Sequence, residues 1–457
     1  MSEVNGLTNV ASARSTGVLN AVPDGWSEVK SGNIFDFNNG KAFYSDGYSE
    51  DGYRVIDLLN IELSGKFQLT NKDKFVSEDV YRKYPKAHLR ESDLIIIMTD
   101  ITPSLGLIGK TAIIDKSDTY VLNQRVGCLR PVDSNVSISF MNYMFNSDVI
   151  RLQVVENTLG TAQFYVNTPV LKNLDIPLPP LPEQKKIAAI LSSVDDVIEK
   201  TQAQINKLKD LKTGMMQELL SPREGTGQPQ GVGENGKGHT EFKDSPIGRI
   251  PVGWDVKCLK RMTTQIRDGN YGAEYPKASE MLESGVPFLT STVVGNDQKV
   301  NKSKLKYISE QKHTLLAKAH IKTNDVLFTN RGANVGNVAI VPNSLDDANI
   351  GPQLTFLRVD ESVTLATYLY IALQTDRFKE QLRQLDSGSA MNFFGIGTTE
   401  KFLFAVPSLV EQENIAAAVY SVIDKIDRLN YKIRQTKLFK KALMQDLLTG
   451  TVRVNVD

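Results

Sequence analysis

Two long stretches of the chain carry apolar residues at alternating spacings of four and three. In the first, Ile187, Leu191, Val194, Ile198, Thr201, Ile205, Leu208, Lys212, Met215 and Leu219 fall in one register. In the second, Ile415, Val419, Val422, Ile426, Leu429, Ile433, Thr436, Lys440, Leu443 and Leu447 do the same. The spacing predicts an a/d seam sustained for about five heptads, the mark of a coiled coil. The competing reading is an amphipathic helix of an ordinary core. Such helices average about 11–12 residues, and each of these runs is more than twice as long. At about 1.5 Å per residue each helix reaches roughly 50 Å.

Each run follows a proline-rich segment. The first reads Pro177-Leu178-Pro179-Pro180-Leu181-Pro182-Glu183-Gln184 and the second Ala405-Val406-Pro407-Ser408-Leu409-Val410-Glu411-Gln412. One offset of 228 residues carries Pro179 onto Pro407, Glu183 onto Glu411 and Met216 onto Met444. The same offset carries the turn Pro23-Asp24-Gly25-Trp26 onto Pro251-Val252-Gly253-Trp254, so each half opens on a bend followed by an anchoring Trp. A repeat of this size is a domain plus a helix, not a solenoid unit. The prolines stop each domain, and Glu183 or Glu411 suits a helix N-terminus.

Between these landmarks the pattern shortens to mixed α and β. Residues 93–98 and 110–114 are short apolar runs with a turn-rich loop between them, and residues 325–329 and 337–341 repeat the scheme. The frame recurs while its contents differ, as expected of equivalent domains that read different ligands. The predicted fold class is α+β: two similar mixed α/β domains separated by two long helices that pair as an antiparallel coiled coil, an internal pseudo-two-fold duplication. The expected boundaries are a flexible lead-in over 1–20, a first domain over 21–182 and a first helix over 183–220. A linker rich in Gly, Gln, Asn and Glu follows over 221–245, then a second domain over 246–410, a second helix over 411–450 and a tail over 451–457.

Bulk composition narrows the class. Apolar content of 41% and charged content of 23% are globular values. The 53 basic residues balance 53 acidic ones, so any nucleic-acid surface must be local. Two cysteines without a CxxC or Cys/His cluster point to a reducing cytoplasm and to no zinc motif. Neither a membrane span nor a signal peptide is visible, and a cytoplasmic protein is expected.

Candidate chemistry is sparse. Phe393-Phe394-Gly395-Ile396-Gly397 imitates an S-adenosylmethionine loop but lacks the strand and helix such a loop needs. Residues 106–111 imitate the end of a phosphate loop, with Ser104 where its first Gly should stand. The four histidines show no ligand spacing: His239 falls in the linker, and His88, His313 and His320 lie among basic residues and are expected at the surface. No catalytic residue and no metal site is predicted.

Two basic stretches stand at matching places. The first holds Lys66, Lys72, Lys74, Arg82, Lys83, Lys86 and Arg90 with Phe75, Tyr81 and Tyr84 interleaved; the second holds Lys299, Lys302, Lys304, Lys306, Lys312, Lys318 and Lys322. Lysines grip phosphates without reading sequence, whereas Arg, Asn and Gln can bond base edges two at a time. The loops beyond supply Asn123, Gln124 and Arg125 in one half and Asn330, Arg331 and Asn334 in the other. Before each proline segment, Gly160-Thr161-Ala162-Gln163-Phe164-Tyr165 matches Gly388-Ser389-Ala390-Met391-Asn392-Phe393. Gly160 fits either a close approach to a ligand or a tight turn. Gln163, Tyr165 and Asn392 join the candidate DNA contacts. A solvated charged face is the bland alternative for either basic run.

From Val22 to Val454 the chain resembles the DNA-specificity subunit of a type I restriction-modification enzyme. The duplicated proline–Glu-Gln-x-x-Ile-Ala segment, the helix ending Met216-Gln217-Glu218-Leu219-Leu220, residues 160–163 and residues 325–336 carry the likeness. The second half departs from it at Ala405, Ser408 and Met391. The resemblance implies that each domain is a target-recognition domain for one half of a split, asymmetric site on double-stranded DNA. It implies that the helices set the spacer and bind two modification subunits, which carry S-adenosylmethionine. Restriction/translocase subunits would use ATP and Mg²⁺, and this chain would bind no cofactor and do no chemistry. Two other readings compete, an S-adenosylmethionine-dependent methyltransferase and a protein scaffold that does not bind DNA.

Overall fold

A computed structural model describes residues 22–456 apart from 45–46, 103, 162, 221–237 and 386–392. The lead-in expected over 1–20 and most of the linker expected over 221–245 lie outside the described residues. The chain divides into two compact units, one of residues 1–202 with 431–457 and the other of 203–430.

Both long helices are present, as Leu181–Leu220 and Leu409–Leu448, each of 40 residues. Each starts two residues before the expected Glu. Pro182 fits there because the first turn needs no backbone donor. Within the first unit Leu447 and Leu448 share a core with Ile187 and Leu191, and Lys440 Nζ lies 2.7 Å from Asp195 Oδ1. Within the second, Met216, Leu219 and Leu220 share a core with Ile415 and Val419. Rising numbers on one helix meet falling numbers on the other, so the pairing is antiparallel in both units. The expected seam is the buried face. Ile187, Leu191, Ile205, Ile415, Val419, Val422, Ile426 and Ile433 are buried, and Val194, Ile198, Leu208 and Leu429 are half-buried. The same residues were candidates for partner binding as well as for the coiled coil, and packing within the chain buries or half-buries them.

The two domains share one topology. In the first, a four-stranded sheet runs in the order Phe35–Asn39, Val126–Pro131, Leu94–Ile97, Thr111–Ile113. In the second, Thr263–Asp268, Leu354–Val359, Val326–Thr329 and Val338–Ile340 take the same places. The central strands are buried on both faces, which is why they read as unbroken apolar runs. Leu94 and Ile96 face the core that holds the helix residues, while Ile95 and Ile97 face a second core with Ile56, Val76 and Tyr120. A smaller sheet lies beside each: Lys74–Val76, Tyr53–Ile56, Tyr120–Leu122 in one, and Lys306–Ile308, Val286–Leu289, Asn349–Ile350 in the other.

The opening turn and the helix start, read separately in the sequence, form one lock. The buried Glu183 carboxylate accepts from Trp26 Nε1 at 3.1 Å, and Glu411 accepts from Trp254 Nε1 at 3.1 Å. The neighbouring glutamine plugs the domain: Gln184 Nε2 donates to Pro179 O and Asn135 O, and Gln412 Nε2 to Pro407 O and Val363 O. A further group closes each lock. Arg453, from the expected tail, donates to both Glu183 oxygens at 2.7 and 2.8 Å. His239 Nε2 lies 2.5 Å from Glu411 Oε1. His239 therefore belongs to the second domain's framework, as does Phe242–Lys243, which pairs with Ile250–Pro251. The expected linker ends earlier than 245.

The expectation of surface histidines also fails. His313 is buried and stacks on His320 with ring centroids 4.0 Å apart. Half-buried His88 stacks on Tyr81 at 3.6 Å, and Tyr81 in turn on Tyr53 at 3.7 Å. Tyr81 is thus a core residue and is not free to stack on a base.

Candidate nucleic-acid interface

In the first domain the strand Thr99–Asp100 pairs with Phe164–Tyr165 at the edge of a groove of about 670 Å³. Three sequence-expected residues meet there, Gln124, Gln163 and Tyr165, together with Asn39, Thr99, Asn167 and Thr168, which sequence reasoning missed. Thr168 Oγ1 donates to Asn39 Oδ1 at 3.0 Å. The chain passes so closely behind the groove that a Cβ on Gly40 would sit 1.9 Å from Asn123 O. Gly160, at φ +104°, would bring a Cβ within 2.1 Å of Gln163 O, which favours the tight-turn reading of that residue.

The loop after Thr99 is held by one buried carboxylate. Asp100 accepts from Thr102 N, Thr102 Oγ1, Leu107 N and Ile108 N at 2.7–3.3 Å. Burial alone would raise its pKa; the hydrogen bonds from Thr102, Leu107 and Ile108 outweigh it and hold the group below the ordinary value.

In the second domain Arg331 stands where Thr99 does and pairs with Phe393, the counterpart of Tyr165. Its guanidinium lies 4.1 Å from the Phe393 ring centroid and 5.8 Å from that of Tyr271. Cation–π attraction to the Phe393 ring, with the Tyr271 ring beyond it, restrains the guanidinium. Tyr271 Oη lies 3.2 Å from both Asp268 Oδ2 and Pro352 O, and Lys318 Nζ lies 5.9 Å from its ring. Lys318 thus joins the basic stretch to the reading loop. Lys41 does so in the first domain: its ammonium is 5.0 Å from the Tyr84 ring, and its carbonyl accepts from Gln124 N at 3.0 Å. Tyr271 and Lys41 had no signal of their own in the sequence, whereas Phe393 had one in its match to Tyr165.

Several expected contacts are placed otherwise. Asn330 is fully buried and donates to Thr355 Oγ1 at 2.8 Å and Asp268 Oδ1 at 3.2 Å, so it supports the loop and does not reach a base. Asn334 is half-buried, with Nδ2 3.4 Å from Ser291 O. Lys66 is ion-paired with Glu199 of its own unit's helix, as Lys299 is with Asp427. Both tie a loop of the domain to a long helix. Arg82 pairs with Glu78 one turn away on the surface, Lys74 lies 4.3 Å from the Tyr48 ring and Lys83 lies 5.7 Å from that of Tyr84. Lys72, Lys86, Arg125, Lys302, Lys304 and Lys306 are exposed. Lys74 and Lys306 open the outer strand of the small sheet in their respective domains. Asn392 and Met391 lie outside the described residues.

The methyltransferase-like segment has no cofactor loop geometry. Phe394 is buried against Phe328 and Phe402, and Gly395 merely precedes a four-residue helix, Ile396–Thr399. Among the described residues no helix is long and apolar enough to cross a membrane.

One frame repeated twice, with different polar side chains at matching places and lysines beside them, defines a duplicated recognition protein. The chain belongs to the family of the type I restriction modification DNA specificity domain, which matches residues 23–210 and again 251–436. It is 28% identical over 446 residues to the type I restriction enzyme MjaVIII specificity subunit of Methanocaldococcus jannaschii, covering 95% of this chain and 94% of the relative. It is 22% identical to the EcoBI specificity subunit of Escherichia coli, covering 95% and 87%. The fold is shared with the type I restriction-modification S subunit from M. genitalium, at a TM-score of 0.55, 16% identity and coverage of 94% and 97%. A chain from a study of assembly of the type I R-M system matches at a TM-score of 0.56 and 18% identity, covering 94% and 100%.

Proposed function

We propose that this chain is the DNA-specificity subunit of a type I restriction-modification complex, each domain reading one half of a bipartite, asymmetric site. The observation that carries the reading is the substitution of contents on a constant frame. Thr99 with Tyr165 in one domain becomes Arg331 with Phe393 in the other, at the same strand pairing. Two such domains convert two modest half-site affinities into one bivalent interaction.

The chemistry belongs to partners in this reading. Two modification subunits, which would bring S-adenosylmethionine, dock on the paired helices; restriction/translocase subunits would use ATP and Mg²⁺. Since the seam is covered, docking falls to the outer faces, where Tyr431, Leu438 and Phe439 are 58%, 63% and 59% exposed on one helix.

Binding to a panel of duplexes, with partner subunits present, tests the reading. Lys304→Ala with Lys306→Ala is expected to weaken binding to all sequences and flatten its salt dependence. Arg331→Ala is expected to relax one position of one half-site, by about 1–3 kcal/mol of discrimination. Equal loss on every sequence for Arg331→Ala would remove it from base reading.

A further inference from the structure

One cluster away from the reading loop carries an electrostatic imbalance. His313, at the end of the helix Glu310–Leu315, and His320, just past the turn Ala317–Ala319, both face Asp347. Asp347 Oδ2 lies 3.3 Å from His313 Nε2, and its Oδ1 lies 3.3 Å from His320 Nδ1. The other nitrogen of each ring is already committed. His313 Nδ1 lies 2.5 Å from Asn349 Oδ1, and that amide is oriented by Asn349 Nδ2 donating to Leu316 O at 3.2 Å. His320 Nε2 lies 2.9 Å from the His313 carbonyl oxygen, which can only accept. Both committed nitrogens therefore donate, and each neutral ring turns a lone pair toward the carboxylate. Three electron-rich groups meet with no donor between them, an arrangement that calls for a positive charge.

The first domain shows what the fold needs without that charge. Tyr81 stands there in place of His313, His88 stacks on it at 3.6 Å, and His88 Nε2 lies 2.6 Å from the Tyr81 carbonyl oxygen. One histidine suffices for the stack. The place of Asn349 is taken by Val121, which bridges His88 as Asn349 bridges His320 at the matching pairing of the small sheet. The second histidine and the amide that orients it are additions of the second domain.

We propose that His313, His320 and Asp347 bind a divalent cation of the zinc class. Two imidazole nitrogens and a carboxylate form a ligand set such ions take, with the oriented rings held by outer partners. Ligand atoms about 2.0–2.1 Å from a tetrahedral centre stand about 3.3 Å apart. Each nitrogen stands at that spacing from its own oxygen of Asp347, and taking one ligand atom from each residue all three lie within 4.8 Å of one another. The rings are parallel within 6°, so binding tilts each out of the stack to aim both nitrogens at one centre. Asp347 is exposed, which leaves water to complete the shell. The ion would tie the segment that carries Lys312 and Lys318 to the small sheet. The sequence reading found no metal site because six residues separate the histidines and the carboxylate comes from a distant turn.

Cobalt(II), followed by visible absorption, and zinc(II), by competition, are the probes for the full chain assembled with its partners. The controls are His313→Tyr, which restores the first domain's stack, and Asp347→Asn. The expected result is one ion bound per chain, a loss of affinity of about tenfold or more in either variant, and a zinc-dependent rise in melting temperature confined to the wild type. Equal affinity in wild type and His313→Tyr would overturn the proposal. So would a wild type that gains stability on acidification and none with zinc, because a proton would then be the missing charge.

Discussion

At the residue scale, buried charge is placed with a reason in most instances, and Lys110 is the informative exception. Burial, then the neighbouring Arg151 charge, pushes its ammonium down to about 8, against a partial offset from Asp148. The folded pKa lies below the unfolded value of about 10.4. The protein therefore binds fewer protons than the unfolded chain between about pH 8 and 10.4, and this group's contribution to stability rises with pH across that window. Below about pH 8 the cost is present in full. Lys110→Met is expected to raise stability at pH 7 by about 1–3 kcal/mol and to flatten the rise above pH 8. Urea unfolding at a series of pH values measures both, and an unchanged pH profile would contradict the assignment. Residue identity was the least legible level of the sequence. Asn330 and Arg331 are adjacent and equally polar, yet one is buried beneath the loop and the other lies between two rings, because backbone direction alternates along the strand edge. Lys66 reads like Lys72, but only the first meets a helix carboxylate.

At the element scale the seam was legible from spacing alone, since a fixed period survives wherever two helices pack along their length. The lock at each helix start was not. Trp254 and Glu411 are separated by 157 residues, and no local pattern links an opening turn to a helix that begins a domain later. Their contact gives each half its closure: the indole donor is satisfied inside the core and the carboxylate sits at the positive end of a helix. Glu411→Ala is expected to leave the Trp254 N–H without an acceptor and to cost about 1–3 kcal/mol, with Glu411→Gln recovering much of it. Equal unfolding midpoints for the two variants would show that the indole bond is not what matters. These contacts converge on the Glu-Gln pair and on Pro179 or Pro407, which explains why those positions recur while Pro177, Pro180 and Pro182 give way to Ala405, Ser408 and Val410.

At the scale of the whole molecule, duplication was the most legible feature because it needs only a constant offset. The division of labour follows from what was kept and what was changed. Helix starts, locks and sheet order are shared between the repeats, while the reading positions differ. In the proposed function the helices set the distance between the two half-sites. Removing one heptad from both helices, about 10 Å of rise in each, is expected to change the spacer and leave the half-site bases unaltered. The most direct test of the central claim is single-molecule mapping of adenine methylation in host DNA with and without this gene. The account predicts that deletion abolishes methylation at one bipartite, asymmetric motif and leaves other motifs untouched. An unchanged methylation map, from cells shown to express the chain and its partners, would contradict it.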